Sequence, residues 1–109
     1  SVIILPGDAG GDLNNFNRWR GQIGLPPWDA DTLKSQQTAV GSRAGTLQVI
    51  DCVGEDSQGG KEKTRLVGAI LTRDSRTWFF KMLGTEAAVG SAKPSFLAFL
   101  KTLHPPERG

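Results

Sequence analysis

The sequence predicts a single α+β domain, in which an antiparallel β-sheet packs against helices from both ends of the chain. Apolar residues alternate or run continuously in three segments, residues 46–53, 64–72 and 77–83, as they do in strands. Helical spacing of apolar residues occurs on both sides of these segments. The length of 109 residues suits one domain, and 38% hydrophobic with 22% charged residues is typical of a globular chain rather than a disordered one.

The N-terminal third predicts a short buried strand, a turn and two helices. Residues 2–5 form an apolar run that ends at the turn dipeptide Pro6-Gly7. A helix over residues 12–22 is predicted because three apolar residues recur at spacings of three and seven, namely Leu13, Phe16 and Ile23. Pro26-Pro27 prevent its continuation, and Asp29 is the expected N-cap of a second helix that ends near residue 36.

Three consecutive strands are predicted in the middle of the chain, over residues 46–53, 64–72 and 77–83. The polar, glycine-rich segment 54–63 is expected to connect the first two as a hairpin loop. Residues 73–76, Arg-Asp-Ser-Arg, predict a tight hairpin connection because Asp and Ser side chains hydrogen-bond to their own backbone in turns. These strands would form an antiparallel meander, one face of which has to be covered.

The C-terminal segment predicts the covering helix. Thr85 can cap a first helical segment, and residues 91–94 are expected to restart it because proline is tolerated in the first helical turn. Over residues 94–103 the apolar residues follow the amphipathic pattern and are Phe96, Phe99, Leu100 and Leu103. Phe99 is accordingly expected in the core, where its replacement by alanine would cost about 3–5 kcal/mol.

The glycine-rich turn of residues 6–11 is the first candidate binding element. Free backbone N–H groups at a helix N-terminus favour an anion. However, the glycine spacing matches neither of the common phosphate-binding fingerprints, and Asp8 and Asp12 put negative charge where an anion would bind. We therefore favour a structural turn in which Asp8 or Asp12 caps the helix, with phosphate binding as the alternative.

The predicted first helix carries more polar residues than packing requires, since asparagine is a poor helix former. These residues are Asn14, Asn15, Asn17, Arg18 and Arg20. At about 100° per residue, Asn14, Asn17 and Arg18 share an outward face and would form the exposed part of any site. Arg20 borders the apolar stripe, so we expect it to be partly buried and to organise the turn of residues 6–11. The set is either a recognition surface for a carboxylate of a ligand or partner, or a polar clamp that holds the helix to the neighbouring loop.

The consecutive aromatic residues 78–80 cannot all face the core, because neighbouring side chains of a strand point to opposite faces. Trp78 or Phe80 is therefore either a contact surface or part of a second packing layer. Cys52 is the only cysteine, so an internal disulfide is excluded and a small core residue is expected. His104 is the only histidine, and alone it predicts neither a metal site nor a catalytic triad.

Composition narrows the class of function. A net charge of +2 and a pI of about 9.0 do not indicate nucleic-acid binding, and no apolar run is long enough to span a membrane. No cofactor, metal or catalytic residue is predicted, because the only dense polar feature lacks a residue suited to proton transfer. We expect a non-catalytic binding or interaction domain that contacts a protein partner or a small ligand, with binding residues Asp8, Asn14, Asn17, Arg18, Arg20 and Trp78. The alternative is a small enzyme or an anion-binding protein that uses the turn of residues 7–11 with Arg18 or Arg20.

Several segments resemble a group of uncharacterised bacterial proteins. They are Leu-Pro-Gly-Asp-Ala-Gly-Gly at residues 5–11, Asn-Phe-Asn-Arg-Trp-Arg-Gly-Gln-Ile-Gly-Leu-Pro at 15–26, Thr-Trp-Phe-Phe-Lys at 77–81, and the closing helix with Phe96, Phe99 and Leu100. Many proteins of this group are exported or lipid-anchored. The resemblance therefore implies an extracytoplasmic location, a lipid anchor in the full-length protein, and an N-terminal segment with a further strand ahead of Ser1. The order of elements is also similar to the PsbP-like fold, an antiparallel sheet between helices that serves non-enzymatic photosystem and trafficking adaptors.

Overall fold

The computed structural model describes residues 2–7, 9–54 and 63–105, and within them the chain forms five strands and three helices. All neighbouring strands pair antiparallel, and their order across the sheet is β1-β5-β4-β3-β2. The predicted α+β class with an antiparallel sheet is thereby confirmed. In chain order the elements are β1 (Val2–Pro6), α1 (Asp12–Gln22), α2 (Ala30–Gln36), β2 (Thr38–Ser42), β3 (Gly45–Gly54), β4 (Thr64–Arg73), β5 (Arg76–Thr85) and α3 (Glu86–Lys101).

Helices cover both faces of the sheet. On the face covered by α1 and α2, the buried residues are Phe16, Trp19, Ile23, Leu33, Ile50, Cys52, Leu66, Ile70 and Phe79. On the face covered by α3, they are Val40, Ala44, Leu47, Val49, Val67, Ala69, Leu71, Phe80, Val89 and Leu100. Because the central strand β4 is covered on both faces, its sequence is a nearly continuous apolar run rather than an alternating one.

The α1 helix lies very close to the sheet at Gly68 of β4. The ring of Trp19 lies directly over this glycine, and a Cβ atom there would be 2.4 Å from the nearest ring carbon. Phe16 and Phe79 contact the same ring edge-on, with centroid distances of 5.6 and 5.7 Å. The missing side chain at Gly68 therefore makes room for the aromatic cluster that joins α1 to the sheet.

Three local predictions are confirmed. Asp74 and Ser75 both have left-handed backbone angles, with φ of 52° and 60°, as a two-residue type I′ hairpin requires. The Asp29 carboxylate accepts a hydrogen bond from the N–H of residue 32 at 2.8 Å and caps α2. The Thr85 hydroxyl accepts one from the N–H of residue 88 at 3.2 Å and caps α3. Each case rests on contacts within a few residues, which sequence patterns report well.

The strand β2 was not predicted. It pairs with β3 over its full length, yet only one of its five side chains, Val40, is buried. A short strand with one apolar anchor carries too little periodicity to be recognised in a sequence. It extends the sheet by one strand beyond the predicted meander and forms the edge opposite β1.

The helix α3 differs from its prediction in two ways. It is continuous through Pro94 and does not restart at residues 91–94. In addition, Phe99 is 46% exposed, whereas Leu100 is fully buried. The longer helix explains both, because Val89 and Leu100, eleven residues apart, lie on the same side and turn it toward the sheet. The predicted core position of Phe99 is therefore wrong, and the large cost of truncation to alanine belongs to Leu100.

Candidate functional site

The turn between β1 and α1 is closed by two asparagine side chains. Asn15 is buried, and its Nδ2 donates to the carbonyl oxygens of Ala9 at 3.0 Å and Gly11 at 2.8 Å. Asn14 donates in the same way to the carbonyl oxygen of Gly10 at 2.8 Å. Asparagine weakens a helix in isolation, but these two side chains stabilise the connection between the turn and the first residues of α1.

The carboxylates of this turn have a different role from the one predicted. Gly11 is the N-cap of α1, and among the described residues no side chain caps that end of the helix. The φ of +88° at Gly11 is a left-handed angle that glycine adopts without strain. Asp12 is the first helical residue instead, where burial raises its pKa. The predicted capping by Asp12 is wrong, and Asp8 lies outside the described residues.

Arg20 is buried, as predicted, but it organises a different segment. Its Nε donates to the carbonyl oxygen of Pro26 at 3.0 Å, and its Nη1 lies 3.4 Å from the Sγ atom of Cys52. The guanidinium stacks on Trp28, with Cζ 3.9 Å from the ring centroid. Arg20 therefore holds the segment between α1 and α2, and the prediction that it organises the turn of residues 6–11 is wrong.

Asn17 completes this clamp. Its Nδ2 donates to the carbonyl oxygen of Trp28 at 2.9 Å, and its Oδ1 accepts from the N–H of Trp28 at 2.7 Å. Asn17 is half-buried, so its predicted place on an outward recognition face is also wrong. The sequence allows two interpretations of the polar residues on α1, either a recognition surface or a clamp that holds the helix to the neighbouring loop. Asn17 and Arg20 form such a clamp.

The remaining predicted binding residues do not come together in one site. Asn14 is exposed but bonded to the turn. Arg18 is exposed beside β1 and forms no hydrogen bond or ion pair with the rest of the described chain. Trp78 is half-buried on the opposite face of the sheet, where it packs on the cluster under α3, and Phe80 is buried there as a second packing layer.

The edge strand β1 presents an apolar surface that the sequence did not predict. The apolar run of residues 2–5 predicts a buried strand. In the structure each of these residues is between 37% and 54% exposed, namely Val2, Ile3, Ile4 and Leu5. The reason is topological, because β1 lies at the end of the sheet and pairs with β5 on one side only. The apolar run was the one available signal, and it does not distinguish a central strand from an edge strand.

Depressions beside β1 continue this apolar surface onto both faces of the sheet. On the α1 face, a recess of about 100 Å³ lies between β1 and the helix and is lined by Ile3, Leu5, Arg18, Trp19, Phe79 and Lys81. On the α3 face, an open groove of about 450 Å³ includes Val2, Phe80 and Phe99. Phe99 packs edge-on against Phe80 with a centroid distance of 6.0 Å.

Within the described part of the chain, the backbone of β1 also has hydrogen-bonding groups that no other strand pairs with. The N–H of Gly7 donates to the carbonyl oxygen of Ser75 on the β5 side at 2.6 Å. The backbone N–H and carbonyl groups of successive residues in an antiparallel strand point to opposite sides. Those of Ile3 and Leu5 therefore also bond toward β5. The backbone groups of Val2, Ile4 and residue 6 point away from the sheet. Residue 6 is a proline and offers only its carbonyl. The N–H groups of Val2 and Ile4 therefore form the outward donors of the described strand.

Asp51, Arg65 and Lys93 form an ionic cluster on the α3 face. Two hydrogen bonds, 2.8 and 2.5 Å long, join the Arg65 guanidinium to the two oxygens of the Asp51 carboxylate. The Nζ of Lys93 lies 2.6 Å from Asp51 Oδ2. The bonds from Arg65 and then from Lys93 lower the pKa of Asp51, against the opposing effect of burial. An open cavity of about 780 Å³ adjoins Arg65. The charge of Arg65 is already paired with that of Asp51.

The described residues contain no group of three or more histidine, cysteine, aspartate or glutamate side chains that could hold a metal ion. Burial is the main cause that raises the pKa of the Cys52 thiol, although Arg20 opposes it. A buried thiol with a raised pKa is a poor nucleophile. His104 is exposed, and its Nδ1 lies 2.9 Å from the carbonyl oxygen of Pro105.

Comparison of the chain with protein-family models, curated proteins and solved structures gave no match. Among the helices of the described part, none is both long and apolar enough to cross a membrane. Among the described residues, the β1 edge carries the one run of consecutive exposed large apolar side chains.

Proposed function

We propose that this chain is a non-catalytic interaction domain whose contact surface is the sheet edge formed by β1. The observation that carries the proposal is the exposure of four consecutive apolar side chains, residues 2–5, on a strand whose outer edge pairs with no other described strand. Outward N–H and carbonyl groups flanked by apolar side chains favour pairing with another strand. Addition of an extended segment to a sheet edge is a common mode of peptide recognition.

The opposite edge of the same sheet supports this proposal by contrast. On β2, the apolar residue Val40 is buried, and the exposed residues are small or polar. That edge exposes little apolar surface, which is one of the features by which proteins avoid unwanted strand pairing. Along the described strand β1, pairing is limited by the missing N–H of the proline at position 6, which lies at one end of the strand.

The alternative function, anion binding at the turn of residues 7–11 with Arg18 or Arg20, receives less support. The Arg20 guanidinium is buried and bonded to Pro26 and Trp28, away from that turn. Carbonyl oxygens of the turn are bonded by Asn14 and Asn15.

A displayed library of random eight-residue peptides tests the proposal. Selection on the native chain is expected to enrich peptides with apolar residues at alternate positions, which bind the β1 edge. Ile4→Lys should abolish their binding, because it places a charge in the centre of the edge. The matched control is Ala39→Lys, which adds the same charge to an exposed position of β2 and should leave binding unchanged.

Amide hydrogen exchange measured by NMR gives the second readout. The outward N–H of Ile4 should exchange rapidly in the free chain and become protected in the complex. The N–H groups of Ile3 and Leu5 bond toward β5 and should be protected in both states. Peptides that bind the Ile4→Lys variant as tightly as the native chain, or binding without protection of the Ile4 amide, would rule out this surface.

We further propose an extracytoplasmic location and membership of the bacterial group whose sequences residues 5–11 and 15–26 resemble. This rests on the resemblance alone. Fractionation of the source cells, followed by detection of the chain with an antibody, tests it, and recovery in the cytoplasmic fraction would contradict it.

A further inference from the structure

We infer that the segment bound by the β1 edge is an extended strand that carries an apolar side chain and, two residues away, a carboxylate bound by Arg18. This inference rests on the proposed function and specifies the chemistry of the partner. The recess on the α1 face combines apolar and cationic side chains. Ile3, Leu5, Trp19 and Phe79 supply the floor, and Arg18 and Lys81 supply the charges.

The size of the recess sets what enters it. A volume of about 100 Å³ is comparable to one branched aliphatic side chain and too small for an aromatic cofactor or a nucleotide. The Trp19 ring at its floor is held edge-on by Phe79, with a centroid distance of 5.7 Å. The recess is therefore a preformed pocket for a single apolar side chain.

The register of β1 directs a partner side chain into this recess. Val2 and Ile4 would form the hydrogen-bonded pairs with an added antiparallel strand, so the residues opposite Ile3 and Leu5 would form the non-hydrogen-bonded pairs. In such pairs the Cα atoms are only about 4.5 Å apart and the side chains lie on the same face. Ile3 and Leu5 face α1, so the partner residues opposite them do so too. These two residues are roughly 7 Å apart, which lets one fill the recess while the other reaches its rim.

The charge at the rim selects a carboxylate for the second position. Arg18 is exposed and has neither a hydrogen bond nor an ion pair within the described chain. Lys81 donates to the Oε1 atom of Gln22 at 3.0 Å and lies 5.8 Å from the Trp19 ring centroid, so it contributes positive potential from a fixed position. Among the described residues, none that lines the recess is acidic. A carboxylate on the partner would accept two parallel hydrogen bonds from the Arg18 guanidinium.

The same charges disfavour a second copy of the chain as the occupant. Antiparallel pairing of β1 with β1 would relate the two copies by a two-fold axis perpendicular to the sheet. The α1 faces would then lie on the same side, and Arg18 and Lys81 of each copy would approach those of the other. Like charges placed across a strand junction destabilise it.

The test compares peptide selection on the native chain with selection on Arg18→Glu. The native chain should enrich aspartate or glutamate two residues from an aliphatic residue, and Arg18→Glu should enrich lysine or arginine at the same position. Arg43→Glu, an equal charge change at an exposed turn beside the other edge, should select the same peptides as the native chain. For one selected peptide, Arg18→Gln should weaken binding about fivefold at low salt, and less at high salt.

The outcomes separate this inference from the proposed function. If peptides bind in a manner sensitive to Ile4→Lys but show no acidic preference, the carboxylate inference fails while the interaction surface remains. If no selected peptide is sensitive to Ile4→Lys, both fail. If the native chain forms a dimer in sedimentation that Ile4→Lys dissociates, the occupant is a second copy and the inference is overturned.

Discussion

A charged side chain is stable inside a small domain only where its hydrogen-bonding groups have partners and its charge is shielded. Arg20 meets this condition through its shape. One face of the flat guanidinium stacks on Trp28, while its edge donates to the carbonyl oxygen of Pro26 and contacts the Cys52 sulfur. Arg18, two residues earlier, has none of these contacts and faces the solvent.

Arg20→Ala is expected to lower the free energy of unfolding by about 2–4 kcal/mol, because it leaves a carbonyl and an aromatic face without their buried partner. Arg20→Lys should recover only part of this loss, since an ammonium group does not stack flat on the indole. Arg18→Ala is the matched control and should change stability by less than about 0.5 kcal/mol. Chemical denaturation of the three variants measures these differences, and equal losses for Arg20→Ala and Arg18→Ala would contradict the assignment.

At the scale of elements, the position of α1 on the sheet depends on strand residues without a side chain, and Gly68 is the one under the middle of the helix. Trp19 lies over Gly68. Trp19 and the preceding residue, Arg18, both line the recess between α1 and β1. The glycine therefore affects more than local packing. If the Trp19 ring moves, the floor of the recess moves with it.

Gly68→Ala should destabilise the chain by about 1–3 kcal/mol, because the added methyl group would lie 2.4 Å from the Trp19 ring and has to displace it. Gly41→Ala in β2 is the control, since a Cβ atom there meets nothing within 4 Å. That change should leave stability equal or slightly higher, because alanine loses less backbone entropy than glycine on folding. Thermal and chemical denaturation of both variants checks the pair. An unchanged midpoint for Gly68→Ala would contradict the close contact between Trp19 and Gly68.

At the scale of the whole molecule, the cluster of Asp51, Arg65 and Lys93 connects the sheet to the last helix. Asp51 lies on β3, Arg65 on β4 and Lys93 on α3, so one carboxylate joins three elements that are distant in sequence. The side chains are only 21–32% exposed, which makes this ion pair more favourable than an isolated surface pair.

The pH dependence of stability follows from the direction of the Asp51 shift. The pKa of Asp51 in the folded chain is below its ordinary value, chiefly because of the Arg65 hydrogen bonds. The unfolded chain therefore takes up the proton more readily. The stabilisation is complete above the unfolded-state pKa of about 4 and is lost as the pH falls through the lower folded-state pKa.

Asp51→Asn is therefore expected to lower stability by about 0.5–1 kcal/mol at pH 7, a value reduced for partial exposure to solvent. The difference from the native chain should disappear in strong acid. Asp74→Asn is the control, because its pair with Arg73 is 3.1 Å long and the carboxylate is 81% exposed. Urea denaturation between pH 2 and pH 8 measures both variants, and a constant difference across that range for Asp51→Asn would refute the role of its charge.

Within each element, the sequence by itself determined most of the local structure. The spacing of Leu13, Phe16 and Ile23 defined α1, and the two turn residues after β4 defined the hairpin, because these features depend on neighbours along the chain. The fold class followed, since alternating and helical patterns have to bury their apolar sides against each other. The burial of Arg20 also followed from its angular position on the helix.

Only the tertiary structure decided what those elements contact. β1 is the first strand in the chain but pairs with β5, the last, so that the Thr77 hydroxyl donates to the carbonyl oxygen of Gly7 across seventy residues. No local period records such a pairing, and the same apolar run of residues 2–5 would suit a buried central strand. Arg20 likewise had several loop carbonyls within reach, and only the path of the segment after α1 selected Pro26. The candidate surface therefore depends on sheet order, which is a property of long-range contacts rather than of sequence pattern.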